Sequence, residues 1–173
     1  MAKSSSEQIE QDEIKVLNAL EQHSKDSVDE IAKSCGFSRQ KIWRIIKNLE
    51  KRKVIWGYSA VTDENAKNLK HFILIIKRKS IPFDEAYKKE LTFNKLDDYS
   101  SDVIIENIYL THGRFDGIAT FYAKDIISAK KLVNEISSRI GKYFDDYILL
   151  ETMFPIRKQR IKNPQMKELA EYL

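Results

Sequence analysis

Between Ser38 and Lys53 the chain reads SRQKIWRIIKNLEKRK, seven cations against one carboxylate. Cations at this density neutralise phosphate. Some of the side chains among them can also read bases: Arg and Lys pair with guanine, and Gln can pair in bidentate fashion with adenine. If the stretch is a helix, Ser38 and the free amides of its first turn suit a phosphate. Arg39 and Lys41 then suit phosphate or guanine, Gln40 suits adenine, and Arg44 and Lys47 follow one turn further in. Lys51, Arg52 and Lys53 lie near the end, where contacts with the DNA backbone are expected rather than base reading. Trp43 has two readings, a wedge packed against the preceding helix or a contact in the groove. The bland alternative for the whole stretch is a surface helix whose cations serve solubility.

A second stretch with chemical potential is GRFDG, Gly113 to Gly117. Two glycines let a ligand approach the backbone, Arg114 can pair with a carboxylate, and Asp116 with an ammonium group. A plain hairpin turn, with Asp116 bonding local amides, competes with that reading. His112 and Asp116 flank the turn and could form a hydrogen-bonded pair, but no third group or nucleophile stands beside them in sequence. No HExxH, GxSxG, Walker or dinucleotide-binding glycine pattern occurs. His23, His71 and His112 are far apart, so a zinc cluster would rest on folding alone. No catalytic residue, metal or cofactor is therefore expected, and the chain does not read as an enzyme.

The elements that position these residues follow from periodicity. Ile9, Ile14, Val16, Leu17 and Leu20 form a roughly helical stripe over Gln8–Gln22, acidic toward its start. Ser27 and Glu30 make a capping box for a short second helix that stops at Gly36. Ser38 caps a third helix, whose Ile42, Ile45, Ile46 and Leu49 line one face and leave Gln40, Arg44, Lys47 and Lys51 almost opposite. Two helices joined by GFS make a helix-turn-helix. KVIWGYSAV, Lys53 to Val61, reads as a strand, and TDENAKNLK as a linker. The remainder reads strand (HFILIIKRKS), helix (FDEAYKKELTFNKL), strand (VIIENIYLTH), strand (FDGIATFYAK), helix (IISAKKLVNEISSRI), strand (DYILLETMF). That order, βαββαβ, is the ferredoxin-like one, with its central hairpin turning at Gly113 and Arg114. Its helices lie on one face, so the other face needs a cover, and self-association is the simplest. Asn163 and Pro164 can start a final short helix, PQMKELAEYL.

Composition sets the bounds. The 173 residues, 42% of them apolar, suffice for one or two small domains. Neither the longest apolar run, Phe72–Ile76, nor the polar MAKSSSEQIEQDE start resembles a membrane span or a signal peptide, so a cytoplasmic protein with no membrane partner is expected. The single Cys35 cannot make an intrachain disulfide. The net charge of +4 is unevenly spread. Residues 1–37 are acidic, 38–58 strongly basic, the middle nearly balanced, and PIRKQRIKNPQMK basic again. Two basic patches point to an anionic partner.

The run from Ile9 to Val61 resembles the helix-turn-helix of the Lrp/AsnC family of transcription regulators, and IENIYLTHGRFDGIATFYA resembles the hairpin of that family's ligand-sensing domain. The likeness covers residues 8–155 in the right order. It implies an α+β chain with an N-terminal three-helix (winged) helix-turn-helix domain over residues 1–61. A linker (62–70), a ferredoxin-like domain for dimerisation and effector sensing (71–155) and a basic C-terminal tail (156–173) follow. It implies sequence-specific binding to double-stranded DNA through Ser38, Arg39, Gln40, Lys41, Trp43, Arg44, Lys47 and Lys51. It further implies a homodimer or higher closed oligomer, and a small amino-acid-like effector held between subunits at Gly113, Arg114 and Asp116. The family often has Arg where Ile45 stands and Gly where Lys53 stands, so the left-handed stop after the third helix is expected to be made otherwise. A non-specific DNA-coating protein, or an enzyme like the haem-pathway decarboxylases that share the domain plan, are the alternatives. The basic tail is expected to be a solvated end or a further DNA contact.

Overall fold

The computed structural model describes residues 6–22, 25–92 and 102–173. The chain divides into two compact units, Met1–Ala60 and Val61–Leu173.

The first unit holds α1 (Ser6–Gln22), α2 (Val28–Cys35) and α3 (Arg39–Lys51). Ser27 caps α2 reciprocally with Glu30: the Ser27 hydroxyl accepts the Glu30 N–H at 3.3 Å, and the Glu30 carboxylate accepts the Ser27 N–H at 2.7 Å. Gly36 ends α2 at φ 64°, a conformation that a Cβ disfavours. The Ser38 hydroxyl then accepts the Lys41 N–H at 3.2 Å and starts α3. Val16, Ile31, Ala32, Cys35, Ile42, Ile45 and Leu49 close the core between the three helices.

No strand forms between Lys53 and Val61, contrary to the sequence expectation. Their β-branched and aromatic residues favour extended backbone, but a strand also needs a neighbour's ladder, and among the described residues none lies alongside. Ile55 packs against the helical core instead, the Tyr58 hydroxyl donates to Glu50 at 3.1 Å, and Trp56 is left 94% exposed. The left-handed stop after α3 is made by Lys53 itself, at φ 61°, with the Val54 N–H closing on the Leu49 carbonyl at 2.9 Å.

In the second unit a 3-10 turn at Glu64–Lys67 precedes β1 (Lys70–Arg78), α4 (Glu85–Thr92), β2 (Val103–Leu110), β3 (Gly117–Ala123), α5 (Ile126–Ile140) and β4 (Phe144–Glu151). The expected helix ran on to Leu96; Phe93–Leu96 lie outside the described residues, as does His23. The sheet order is β2-β3-β1-β4 with every neighbouring pair antiparallel, the ferredoxin-like arrangement. Phe72, Leu74, Phe121 and Ala123 bury one sheet face against Ala129, Leu132 and Val133 of α5. Strand alternation turns Ile73, Ile75, Ile104, Ile148 and Leu150 to the other face, where Ile104 and Leu150 are exposed.

A polar island interrupts that face. The β2–β3 register shifts between Ile105 and Asn107, and Glu106 at the irregularity accepts from the Thr120 and Tyr122 hydroxyls at 2.9 and 2.8 Å and lies 3.2 Å from His71 Nε2. Burial and the Glu106 charge push the Tyr122 hydroxyl well above the usual range.

The basic tail packs back on its own unit. Strands β5 (Arg157–Lys158) and β6 (Ile161–Lys162) form a tight hairpin. Lys158 is ion-paired with Glu64 and donates to the Thr62 carbonyl at 3.1 Å. Lys158 is thus neither solvated nor free for DNA. The terminal helix, Met166–Tyr172, is of 3-10 type, with Asn163 accepting the Gln165 N–H at 2.8 Å before it. No helix among the described residues is long and apolar enough to cross a membrane.

Candidate nucleic-acid interface

Helix α3 is amphipathic by construction. Ile42, Ile45 and Leu49 are buried, which fixes the rotation of the helix and turns Gln40, Arg44, Lys47 and Lys51 outward along one exposed stripe. Ile45, only 8% exposed, points into the core, so a cation at this position would not face a groove. Trp43 is 57% exposed and outside the core, contrary to the expected wedge against α2. The α1 and α2 side chains there fill the core with Val16, Ile31 and Cys35 and leave the indole on the flank of the outward stripe.

The eight residues proposed from sequence are not equivalent. Gln40, Arg44 and Lys51 are exposed and make no hydrogen bond or ion pair with the described residues. Arg39 lies 3.4 Å from Asp29, both well exposed, a pair that a phosphate can displace at little cost. Lys47 is paired with Glu50 at 2.8 Å, and this bond holds the Glu50 carboxyl below its usual range. The Ser38 hydroxyl is committed to its cap.

Lys41 is placed differently. Its ammonium sits 2.5 Å from the Asp12 carboxylate and 3.8 Å from the centre of the Phe37 ring. Asp12 is itself buried, and the Lys41 bond holds its carboxyl below the ordinary value despite the opposing effect of burial. Arg52 likewise meets Glu13 at 2.5 Å. Sequence reasoning treated both cations as polyanion contacts and missed their partners in α1. The signal for Asp12 was present: with Val16 and Leu20 it falls at successive spacings of four, on the stripe that α1 turns inward.

The second candidate site is the turn between β2 and β3. Gly113 has φ 150° and Arg114 is exposed at the tip. Asp116 is part-buried and ties the turn to β1: one carboxylate oxygen accepts the Arg78 N–H at 2.8 Å, and the Asp116 N–H donates to the Ile76 carbonyl at 2.9 Å. The hydrogen-bonded pair that His112 and Asp116 could form across the turn is not made. The structure therefore brings Gly113 and Arg114 together at the surface and sets Asp116 behind them.

A family model described as winged helix-turn-helix DNA-binding matches residues 13–55, from within α1 through α2 and α3 to the turn after them. The HTH-type transcriptional regulator Ptr1 of Methanocaldococcus jannaschii is 31% identical over 123 residues, 71% of this chain and 78% of that one. Among solved structures, an AsnC family transcriptional regulator from Agrobacterium tumefaciens superposes with TM-score 0.66 at 21% identity, covering 90% of this chain and 97% of the other. A Neisseria meningitidis transcriptional regulator, crystallised with L-methionine, gives 0.64 at 14% identity over 85% and 91%.

Proposed function

Because the chain belongs to the Lrp/AsnC type of helix-turn-helix transcriptional regulators, we propose that it acts as a symmetric homodimer whose two α3 helices enter successive major grooves of double-stranded DNA. The observation that carries this reading is the outward stripe of Gln40, Arg44 and Lys51, unpaired on a helix whose rotation is fixed by buried Ile42, Ile45 and Leu49. Gln40 and Arg44 read base edges, with the Trp43 indole beside them. Arg39, Lys47 and Lys51 meet phosphates, as do the free amides of the first turn at Ser38. Lys41 serves the interface indirectly, by fixing α3 against α1. The uncovered sheet face, with exposed Ile104 and Leu150, supports pairing through the second unit, and further closure into a ring is compatible with it.

The hairpin tip is the proposed place for a small amino-acid-like effector, its carboxylate on Arg114 and its ammonium group near Asp116, between neighbouring subunits. The Neisseria relative crystallised with L-methionine supports an effector of this kind. Selection of binding sites from random DNA by the purified chain, with and without a panel of amino acids, tests both parts. A pseudo-palindromic motif whose occupancy changes with one amino acid is the expected result, and enrichment of no motif means a DNA-coating protein instead.

A further inference from the structure

Between Glu151 and Glu168 the chain holds five cations and no carboxylate, and the β5–β6 hairpin gathers most of them. Across its two strands Arg157 stands opposite Lys162, and Lys158 opposite Ile161. Residues directly opposite share a face, so the hairpin has two unlike sides. On one, Lys158 is ion-paired with Glu64 and donates to the Thr62 carbonyl, which ties the hairpin to the turn before β1. On the other, Arg157 and Lys162 are exposed side by side. Lys162 makes no hydrogen bond or ion pair with the described residues. The Arg157 guanidinium donates to the Arg160 carbonyl at 2.6 Å, a neutral acceptor that leaves its charge uncompensated. Like charges directly opposite one another destabilise a strand pair.

The turn is strained as well. Gln159 and Arg160 both have positive φ, 42° and 68°, as in a type I′ turn, where Asn and Gly are usual because other side chains resist that backbone. Arg160 is exposed at this tip. The base of the hairpin is nevertheless firm: the Asn163 N–H donates to the Ile156 carbonyl at 3.1 Å, and its side-chain amide to the Pro155 carbonyl at 2.9 Å. Strained backbone and uncompensated like charge, held together by an anchored frame, are what a site awaiting an anion looks like before the anion arrives.

We propose that this hairpin is a second nucleic-acid contact of the chain, in which Arg157, Arg160 and Lys162 meet phosphates of double-stranded DNA without reading its sequence. The phosphate backbone turns the repulsion between Arg157 and Lys162 into attraction by both. Guanidinium groups match phosphate oxygens in fork geometry, and a two-stranded ribbon is narrow enough for the major groove. Exposed Ile156 and Ile161 beside the cations would also suit an anionic lipid surface; the duplex is favoured because residues 13–55 of the same chain match a DNA-binding domain. The contact rests on the reading of the chain as a DNA-binding regulator but not on α3, since the hairpin belongs to the second unit.

Fluorescence-anisotropy titrations of the full chain on a selected site and on a random duplex, at several salt concentrations, test the proposal. Arg157→Gln/Arg160→Gln/Lys162→Gln should weaken binding to both duplexes alike, about 10- to 100-fold near 0.1 M salt, and lower the salt slope by about two to three for each engaged hairpin. The same loss of charge among exposed lysines elsewhere on the unit, Lys124→Gln/Lys130→Gln/Lys131→Gln, is the control and should leave the slope unchanged. Gln159→Asn/Arg160→Gly relieves the turn while removing one cation, so it should raise the melting temperature and still weaken binding. This variant decides the matter if the triple variant does not fold. A triple-variant effect no larger than the control's, or a loss confined to the selected site, overturns the hairpin contact. Hairpin-dependent sedimentation with phosphatidylglycerol vesicles, with DNA affinity unchanged, overturns it in favour of a membrane. If Lys51→Ala weakens DNA binding and the hairpin variants do not, the regulator reading survives without this contact. If no motif is selected but the hairpin variants still weaken binding to random duplex, the contact stands and sequence-specific regulation falls.

Discussion

The Lys41 ammonium lies between the Asp12 carboxylate, at 2.5 Å, and the Phe37 ring, at 3.8 Å. A residue that by type and position belongs to a DNA-reading surface is thereby a strut between α1, the turn and α3. Removing Asp12 leaves a part-buried cation without its partner, so Asp12→Ala should destabilise the first unit by about 1–2 kcal/mol. Urea unfolding of Asp12→Ala, Lys41→Met and the double variant checks this. A double variant less damaged than the sum of the singles is the expected outcome; strict additivity means no coupling.

Base reading and phosphate binding should separate on α3. Arg44→Ala should cost about 1–3 kcal/mol at particular base positions and relax preference there. Lys51→Ala should weaken all sequences alike and lower the salt slope by about one. Competition titrations at several salt concentrations measure both, and an identical, sequence-independent effect of the two changes contradicts the division.

Lys53 occupies a left-handed conformation, φ 61°, that costs an L-residue roughly 1–2 kcal/mol and a glycine little. Lys53→Gly should therefore stabilise the first unit by about 0.5–1 kcal/mol, after the greater freedom of glycine in the unfolded chain is subtracted. A higher urea midpoint is expected, and a lower one would show that the Lys53 side chain contributes a contact worth more than the backbone strain.

Much of this architecture was legible in the chain. The Ser27–Glu30 box, Gly36 and Ser38 are local signals whose chemistry acts within a few residues, and the structure uses each of them. The βαββαβ order followed from alternation and helical stripes, and Ile126–Ile140 matches its expected helix end to end. What failed depended on partners distant in sequence. The Asp12–Lys41 and Glu13–Arg52 pairs join α1 to α3 and the residue that ends it, and although spacing puts Asp12 on the inward face of α1, nothing along the chain names its partner or that of Glu13. Lys53–Val61 has strand composition without a ladder, and Trp43 has an aromatic ring that the filled core does not admit. The burial of Arg78 Nε without a hydrogen-bond partner among the described residues is a property of the folded sheet end and has no sequence signature.

Acid should weaken both units through named carboxylates. In the folded state Asp12 is held below its ordinary value by Lys41. Asp84 is held below it by Lys142 and the Tyr143 hydroxyl, and also accepts the Tyr87 N–H at 2.8 Å. Groups depressed on folding contribute stability that is complete above the unfolded carboxylate value, about 3.9, and fades as pH falls below it. Urea unfolding at pH 5, 4 and 3 should show a falling midpoint, with a shallower fall in Asp12→Asn for the first unit and in Asp84→Asn for the second. An unchanged slope in both variants contradicts these assignments.

Hydroxyl-radical footprinting of the purified protein on a selected DNA site tests the paired α3 helices most directly. Two protected segments one helical turn apart, roughly 34 Å between centres and related by two-fold symmetry, are predicted. Protection of one half-site alone, or even protection along the duplex without phase, would contradict a symmetric dimer reading DNA through α3.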